Sequence, residues 1–290
     1  MKYLRNEPLK KHTSFRIGGP ADYFCTPKNI DDLKAAILFA KEKALPIALI
    51  GAGTNLLCLD KGFAGLVIKM AGGLKEVKES EGRLVAGGGA LLGQLIIAAA
   101  NHGLAGLEFL AGIPGTIGGA VVMNAGAWGE DISRLIENVT TLDYKGKEKI
   151  FSKDALDFSY RHSLLQDKKN IVVSTTFKLK KSNKPAVMAR LKEFTSKRKN
   201  RQPLGIPNAG SIFKNPPGTF AGKLLEDAGC KGLRVGDAGV SAKHANFIVN
   251  LGDAKSSDVL KLMTKMENLV YNKFKIKLEP EIKIMVKSTQ

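Results

Sequence analysis

The sequence predicts an α+β protein with a larger front part and a smaller unit behind it. Three observations carry that expectation. Short β-type runs alternate with few helices up to about residue 180. Two glycine-rich loops, at 50–55 and 111–119, interrupt them, and a strongly basic stretch near 185–199 runs into prolines before a fresh helix-and-strand pattern begins.

With 290 residues, 44% of them hydrophobic and 25% charged, the chain can bury a substantial core and is expected to divide into two or three domains. No apolar run reaches the roughly 18 residues of a membrane span; the run at 89–100 is too short and begins among glycines. Residues 1–7 lack the apolar stretch of a secretory signal. Cys25, Cys58 and Cys230 are odd in number and widely spaced, which argues against a disulfide framework and a zinc site and points to a reducing, cytoplasmic location. The formal charge of +18 predicts attraction to anions. Lys180, Lys181, Lys184, Arg190, Lys192, Lys197, Arg198, Lys199 and Arg201 crowd one stretch that holds a single acid, Glu193. A solvated helix face accounts for this better than a nucleic-acid site, because no helix-turn-helix, RNP or zinc-finger pattern accompanies it.

Residues 30–44 read as a helix, with Asp31 as its N-cap and Leu33, Ala36, Ile37, Ala40 and Ala44 on one face. A strand at 46–50 follows, so the first glycine loop ends a strand. Further β-type runs fall at 65–69, 75–79 and 83–86, then a helix over about 91–101, then runs at 139–144 and 171–180. Pro185 suits the first turn of the connector helix, whose charged end leads into Pro203 and Pro207. Behind it come a helix near 219–228, a strand at 246–250 and a helix over about 257–274. That last helix sets Val259, Met263, Met266 and Val270 along one stripe, so its methionines read as core filler. A strand-like run at 282–286 closes the pattern, and no internal repeat or low-complexity segment is present.

Gly51, Gly53 and Thr54 follow an apolar strand, so bare backbone can approach an anion and successive N–H groups can act as donors. The spacing is not a dinucleotide fingerprint: Leu56 falls where GxGxxG needs its third glycine, and no GK[ST] marks a P-loop. Taken alone, this loop fits a structural turn. The second loop shifts the balance. Gly112, Gly115, Gly118 and Gly119 crowd one stretch, and 120–126 are nearly all small. One pyrophosphate beside a flat ring accounts for the whole run, where a structural explanation needs several independent tight turns. Asn124 can simply close a turn, and a single tryptophan such as Trp128 is more often core than a stacking platform.

Arg161 reads first as a surface residue, although its planar fork suits a carboxylate bidentately. Ser211 has no GxSxG elbow and no evident His-Asp couple, which makes it a poor hydrolase nucleophile. A hydroxyl can instead give a proton to a basic carbon within hydrogen-bond reach. Glu279 and Glu281 stand two apart in an extended segment and point to opposite faces, so at most one serves a common site. His12, His102, His162 and His244 show no metal-ligand spacing, and no metal is assigned.

Seven motifs in order now carry a resemblance: Thr13-Ser14-Phe15-Arg16-Ile17-Gly18-Gly19, the Gly51 loop, 112–129, Tyr160-Arg161-His162-Ser163, 208–216, 241–247 and Leu278-Glu279-Pro280-Glu281. Over nearly its whole length the chain resembles the UDP-N-acetylenolpyruvoylglucosamine reductases, flavoenzymes that complete UDP-N-acetylmuramate for bacterial cell-wall synthesis. The resemblance implies a two-part FAD-binding region of the vanillyl-alcohol-oxidase-like (PCMH-type) class at 1–69 and 70–182, a smaller α+β substrate-binding domain at 183–277, and a C-terminal strand at 278–290 returning to the FAD-binding region. It places FAD on Gly51, Ala52, Gly53, Thr54 and Asn55 and on Gly112, Gly115, Thr116, Gly118, Gly119 and Asn124. The histidines lie outside both loops, so the FAD is expected to be non-covalent.

By that resemblance NADPH reduces FAD and leaves, UDP-N-acetylglucosamine enolpyruvate takes its place, and hydride passes from flavin N5 to the enolpyruvyl methylene carbon. Arg161 matches the family arginine at the carboxylate, Glu281 the glutamate assisting polarisation, and Ser211 the proton donor. Glu281 is preferred to Glu279 because the family pattern Glu-Val-Arg falls on Glu281-Ile282-Lys283. Lys199 takes the place of a family lysine when the segment to Ser211 aligns without gaps, beside Arg198 and Arg201, and Tyr160 and Asn215 match substrate contacts. Trp128 stands where tyrosine is frequent and Met285 where glycine is common. The short passage 180–185 leaves no room for a substrate-covering segment, which implies the shorter family branch. The competing readings are an FAD-dependent oxidase of an alcohol or hydroxy acid and, from another class, a basic nucleic-acid-binding protein.

Overall fold

The computed structural model describes residues 1–167 and 170–285, and the chain forms two compact units, each assembled from three separated stretches. The first takes Met1–Leu4, Phe24–Ala52 and Leu66–Arg198; the second takes Arg5–Tyr23, Gly53–Gly65 and Lys199–Gln290.

In the first unit, helix α1 (Ile30–Glu42) buries Leu33, Ala36, Ile37 and Ala40, the stripe expected from their spacing. Its cap is Asn29 rather than Asp31: the Asn29 side chain accepts the Asp32 amide at 2.8 Å, while Asp31 and Asp32 set negative charge in the first turn. Ala44, expected on the buried face, lies past the helix end at a left-handed φ of 51°. The strand Ile47–Ile50 then runs parallel to residues 66–69 of the strand Phe63–Lys69.

The main sheet of this unit has five antiparallel strands in the spatial order Glu148–Ser152, Ile136–Asp143, Asn170–Lys178, Arg83–Gly87, Val77–Ser80. Ile171, Val172 and Val173 are buried in succession, so both faces of the middle strand are covered there. Leu84 and Phe177 of the sheet share a core with Leu95 of α2 (Leu92–Asn101) and Ile117 of α3 (Ile117–Val122). Helix α3 falls inside the second glycine stretch, where the sequence shows only small residues. Two glycines in so short a helix oppose it. It forms because Ile117, Ala120 and Val121 are buried and the Thr116 side chain accepts the Gly119 amide at 3.3 Å. Helix α4 (Lys184–Arg201) extends slightly beyond the expected connector; Asn183 accepts the Ala186 amide at 2.9 Å, and Val187 and Leu191 join this unit's core.

In the second unit a four-stranded antiparallel sheet has the order Asn208–Ser211, Phe247–Asn250, Ala238–Val240, Arg234–Val235. Helices α5 (Ala221–Asp227) and α6 (Ser256–Phe274) contribute to its core, α6 through Val259, Leu262, Met263, Met266 and Val270. Phe15, Ile17 and Leu57 complete that core from the early segments. A fully buried side chain such as Phe15 contributes about 1.5–3 kcal/mol. The start of α6 is fixed by Asp60, whose carboxylate accepts the Ser256 and Ser257 amides at 2.9 and 3.3 Å, while its own amide donates to Ser256 Oγ at 2.9 Å. The strand Lys283–Met285 pairs in parallel with Leu56–Cys58; Val286, the expected end of that run, lies outside the described residues.

No helix among the described residues is long and apolar enough to cross a membrane. Among them no group of three or more His, Cys, Asp or Glu could hold a metal ion.

Candidate active site

Gly51 of the first glycine-rich stretch meets the second stretch in the first unit. A Cβ on Gly51 would overlap Thr116 Oγ1, so only glycine permits this approach. The amides of Ile117 and Gly118 donate to the Ala90 and Gly88 carbonyls, both at 2.8 Å, and are therefore used by the fold. What the stretch offers a bound molecule is close, bare backbone. Gly112 and Gly119 are exposed, and residues 111–126 hold no acidic side chain. An anionic diphosphate joined to a flat ring, as in FAD, fits such a surface, because it needs close backbone and no competing carboxylate.

Asn124 is buried and adopts a left-handed φ of 42°. Its Nδ2 donates to the Ser159 carbonyl at 2.9 Å and its Oδ1 accepts the Ser133 amide at 3.2 Å. The side chain thus grips the turn that carries the predicted arginine. Ser159 and His162 exchange both backbone hydrogen bonds at 3.1 Å, which closes a hairpin with Tyr160 and Arg161 at its tip. Arg161 has φ 57°, a costly conformation for a side chain of this size. It is held there by Gln166, which donates to the Arg161 carbonyl at 2.8 Å, and by its own Nη2, which donates to the Gly126 carbonyl at 3.0 Å. The Tyr160 ring is exposed, with the Arg161 guanidinium 5.0 Å from its centre. Trp128 is exposed, against the expectation that a lone tryptophan belongs to the core, and its ring lies 6.1 Å from that of Phe194 on α4.

Arg198 is a residue that sequence reasoning did not separate from its neighbours. It is 7% exposed, its Nε donates to the Ala111 carbonyl at 2.9 Å, and its stem fills the space where a Cβ on Gly112 would sit. Burial, followed by the charge of Arg161, holds the Arg198 guanidinium below its usual pKa. Two neighbouring cations in a partly dry setting form an anion-attracting pair. The signal lay in the spacing of Val187, Leu191 and Arg198, which share one face of α4.

In the second unit the expected serine and glutamate lie on adjacent backbone. The Glu281 amide donates to the Ile212 carbonyl at 2.7 Å, and the Lys214 amide donates to the Glu279 carbonyl at 2.8 Å. Ser211 and Glu281 are both half-buried. Glu279 points away: its side chain is 74% exposed and pairs with Lys214 at 3.3 Å. The remainder of the first glycine loop also belongs here. Gly53 accepts the Ser14 amide at 3.0 Å, and Ser14 Oγ donates to the Gly53 carbonyl at 3.3 Å and the Asn208 carbonyl at 2.7 Å. Asn55 Nδ2 donates to the Glu281 carbonyl at 3.3 Å, and the Lys283 amide donates to the Asn55 carbonyl at 2.9 Å. Thr54 is half-buried beside them.

Lys199 is exposed, and its carbonyl accepts Lys243 Nζ at 2.7 Å. Asn215 is exposed and its Oδ1 accepts the Ala221 amide at 3.0 Å, which satisfies the first donor of α5. His244 packs its imidazole against Gly222 and edge-on to Phe247, 4.9 Å between centres. Burial, helped by the charge of Lys231, lowers its pKa.

A family model described as an FAD binding domain matches residues 21–152, and one described as the C-terminal domain of UDP-N-acetylenolpyruvoylglucosamine reductase matches 202–285. The chain is 45% identical to the UDP-N-acetylenolpyruvoylglucosamine reductase of Desulforamulus reducens, over 97% of this chain and 92% of that protein. It is 44% identical to the protein of the same name from Caldanaerobacter subterraneus subsp. tengcongensis, over 98% of this chain and 94% of the relative. The crystal structure of UDP-N-acetylenolpyruvylglucosamine reductase from Thermus caldophilus superposes with a TM-score of 0.84 at 38% identity, covering 98% of both chains. With paired glycine stretches, an adjoining serine and glutamate, and relatives matched end to end at this identity, the chain belongs to the UDP-N-acetylenolpyruvoylglucosamine reductase family.

Proposed function

We propose that the protein reduces UDP-N-acetylglucosamine enolpyruvate to UDP-N-acetylmuramate with NADPH as reductant. This is a step of peptidoglycan synthesis on which cell shape and cell division depend, carried out in the cytoplasm. The observation that carries the reading is the backbone ladder setting the Ser211 segment beside Glu281, in a chain whose other half matches an FAD binding domain.

Residues 1–69 and 70–182 are the two parts of the FAD-binding region; Gly51 to Asn55, Gly112, Gly115, Thr116, Gly118, Gly119 and Asn124 would hold FAD non-covalently. Residues 183–277 bind the sugar nucleotide, and the segment that follows supplies Glu281. Bound FAD supplies the hydride that the enolpyruvyl group receives. Arg161, fixed at a hairpin tip, takes the enolpyruvyl carboxylate and draws charge away from the neighbouring carbon. Glu281 assists that polarisation, and the Ser211 hydroxyl gives its proton to the same carbon. Tyr160, Lys199 and Asn215 contact the rest of the substrate.

The test is anaerobic. Protein carrying FAD is reduced with NADPH, UDP-N-acetylglucosamine enolpyruvate is added, and the flavin absorbance is followed. Return of the oxidised spectrum with formation of UDP-N-acetylmuramate is expected. A flavin that stays reduced until air is admitted would replace this reading by that of an oxidase.

A further inference from the structure

Ser211 ends an irregular strand. It pairs with Phe247, Asn208 pairs with Val249, and the register shifts between the two. A serine after such an irregularity is not positioned by regular pairing alone. What continues the segment is a side chain. Asn246 is 3% exposed, its Oδ1 accepts the Phe213 amide at 2.9 Å, and its Nδ2 donates to the Phe213 carbonyl at 2.8 Å. Its own carbonyl accepts the Ile212 amide at 2.9 Å, and its amide donates to His244 Nδ1 at 3.2 Å.

One carboxamide therefore grips both polar groups of the residue two beyond the serine, on the side opposite the Glu279 and Glu281 contacts. A buried amide that donates and accepts with the same backbone residue is an orienting device, since losing either bond leaves a buried group without its partner. We propose that Asn246 is the positioning residue for Ser211: through Phe213 it sets where the serine hydroxyl is held for proton delivery. The inference rests on the reductase reading above, in which Ser211 is the proton donor.

The FAD-loaded protein and its Asn246→Ala and Asn246→Asp variants decide the matter. Asp keeps the shape and the acceptor but sets a carboxylate oxygen against the Phe213 carbonyl, so it serves where Ala fails to fold. The expected result is unchanged FAD content and unchanged flavin reduction by NADPH, with reoxidation by UDP-N-acetylglucosamine enolpyruvate slowed by about 10²-fold, the scale of a small misplacement of a reacting group. The solvent deuterium isotope effect on reoxidation should rise as proton delivery becomes limiting. Faster amide exchange at Ile212 and Phe213 should accompany both. Wild-type reoxidation rates in the variants, or equal losses in the two half-reactions, overturn the assignment while leaving the reductase reading intact. Failure of the wild-type protein to reoxidise with this substrate overturns both.

Discussion

Asn124 and Ser159 are joined through a buried carboxamide: Nδ2 of the asparagine holds the Ser159 carbonyl at 2.9 Å, two residues before Arg161. The same amide holds Ser133. Asn124→Ala should therefore destabilise the protein by about 1–3 kcal/mol, because at least one buried backbone group loses its partner. Asn124→Gly relieves the left-handed φ of 42° but not the lost bonds. Denaturant melts of the two variants test this; if both melt with the wild type, the amide does not hold the hairpin.

Ser211→Ala should leave flavin reduction by NADPH nearly intact and slow reoxidation by the enolpyruvyl substrate by about 10²–10⁴-fold, the usual share of a general acid. Stopped-flow measurement of each half-reaction separates the two. Equal loss in both halves would remove the proton-donor role.

Arg198→Met keeps a stem against Gly112 and removes a buried charge whose pKa is already lowered by burial and Arg161. It also takes the Nε donor from the buried Ala111 carbonyl, and an unpaired buried acceptor costs about 1–3 kcal/mol. The melting temperature should fall. Binding of the enolpyruvyl substrate to the FAD-loaded protein should weaken by roughly 10-fold or more, the loss of one charged hydrogen bond. Unchanged affinity in a calorimetric titration would make Arg198 purely structural.

His244 predicts a pH dependence. Its folded pKa lies below the ordinary histidine value of 6.5 because burial, and then Lys231, disfavour the charged ring. An unfolded chain takes up the proton near 6.5 while the folded one resists. Stability is therefore full above pH 6.5, falls as the pH drops below it, and levels off once the folded ring protonates. Urea melts across that range should show a shallower decline in His244→Gln than in the wild type, and identical slopes would refute the assignment.

Burial pushes the Cys25 and Cys58 thiols up to about 12, in Cys25 with help from Asp32, and burial also raises Cys230. At pH 8 the folded protein should react with an aromatic disulfide reagent far more slowly than the denatured chain. Rapid release of one thiolate equivalent from native protein would contradict the buried placement.

The elements legible in the sequence are those whose signal is local. Helices α1 and α6 announce themselves by apolar spacing and α4 by Pro185 and its charged end, and the Met263–Met266 stripe is buried as its period requires. Helix α3 was not legible, since two glycines and a valine pair argue against a helix and only burial of Ile117, Ala120 and Val121 forms it. The strands Asn208–Ser211 and Arg234–Val235 are too short for a period and depend on partners far along the chain. Of the candidate site, the motifs singled out Arg161, Ser211 and Glu281, but not what holds them. Arg198 stood beside Lys199 among the cations without being set apart from them, because a run of lysines and arginines reads as a solvated face, and Asn246 was hidden because its partner is backbone. Asn29 prevailed over Asp31 because a cap stands outside the first turn, where its side chain can turn back onto an amide.

The pairing of Leu56–Cys58 with Lys283–Met285 imposes an order on synthesis. Met285 lies 3.9 Å from Cys58, 227 residues earlier, so the second unit stays open until nearly the whole described chain has left the ribosome. The main sheet of the first unit needs nothing beyond Lys178. Translation that stops after the main sheet yields a body with Gly51, Ala52 and the second glycine stretch but without Ser211 and the backbone that borders it. The growing chain can thus build the half that holds the second glycine stretch while the half that holds Ser211 waits for the final strand.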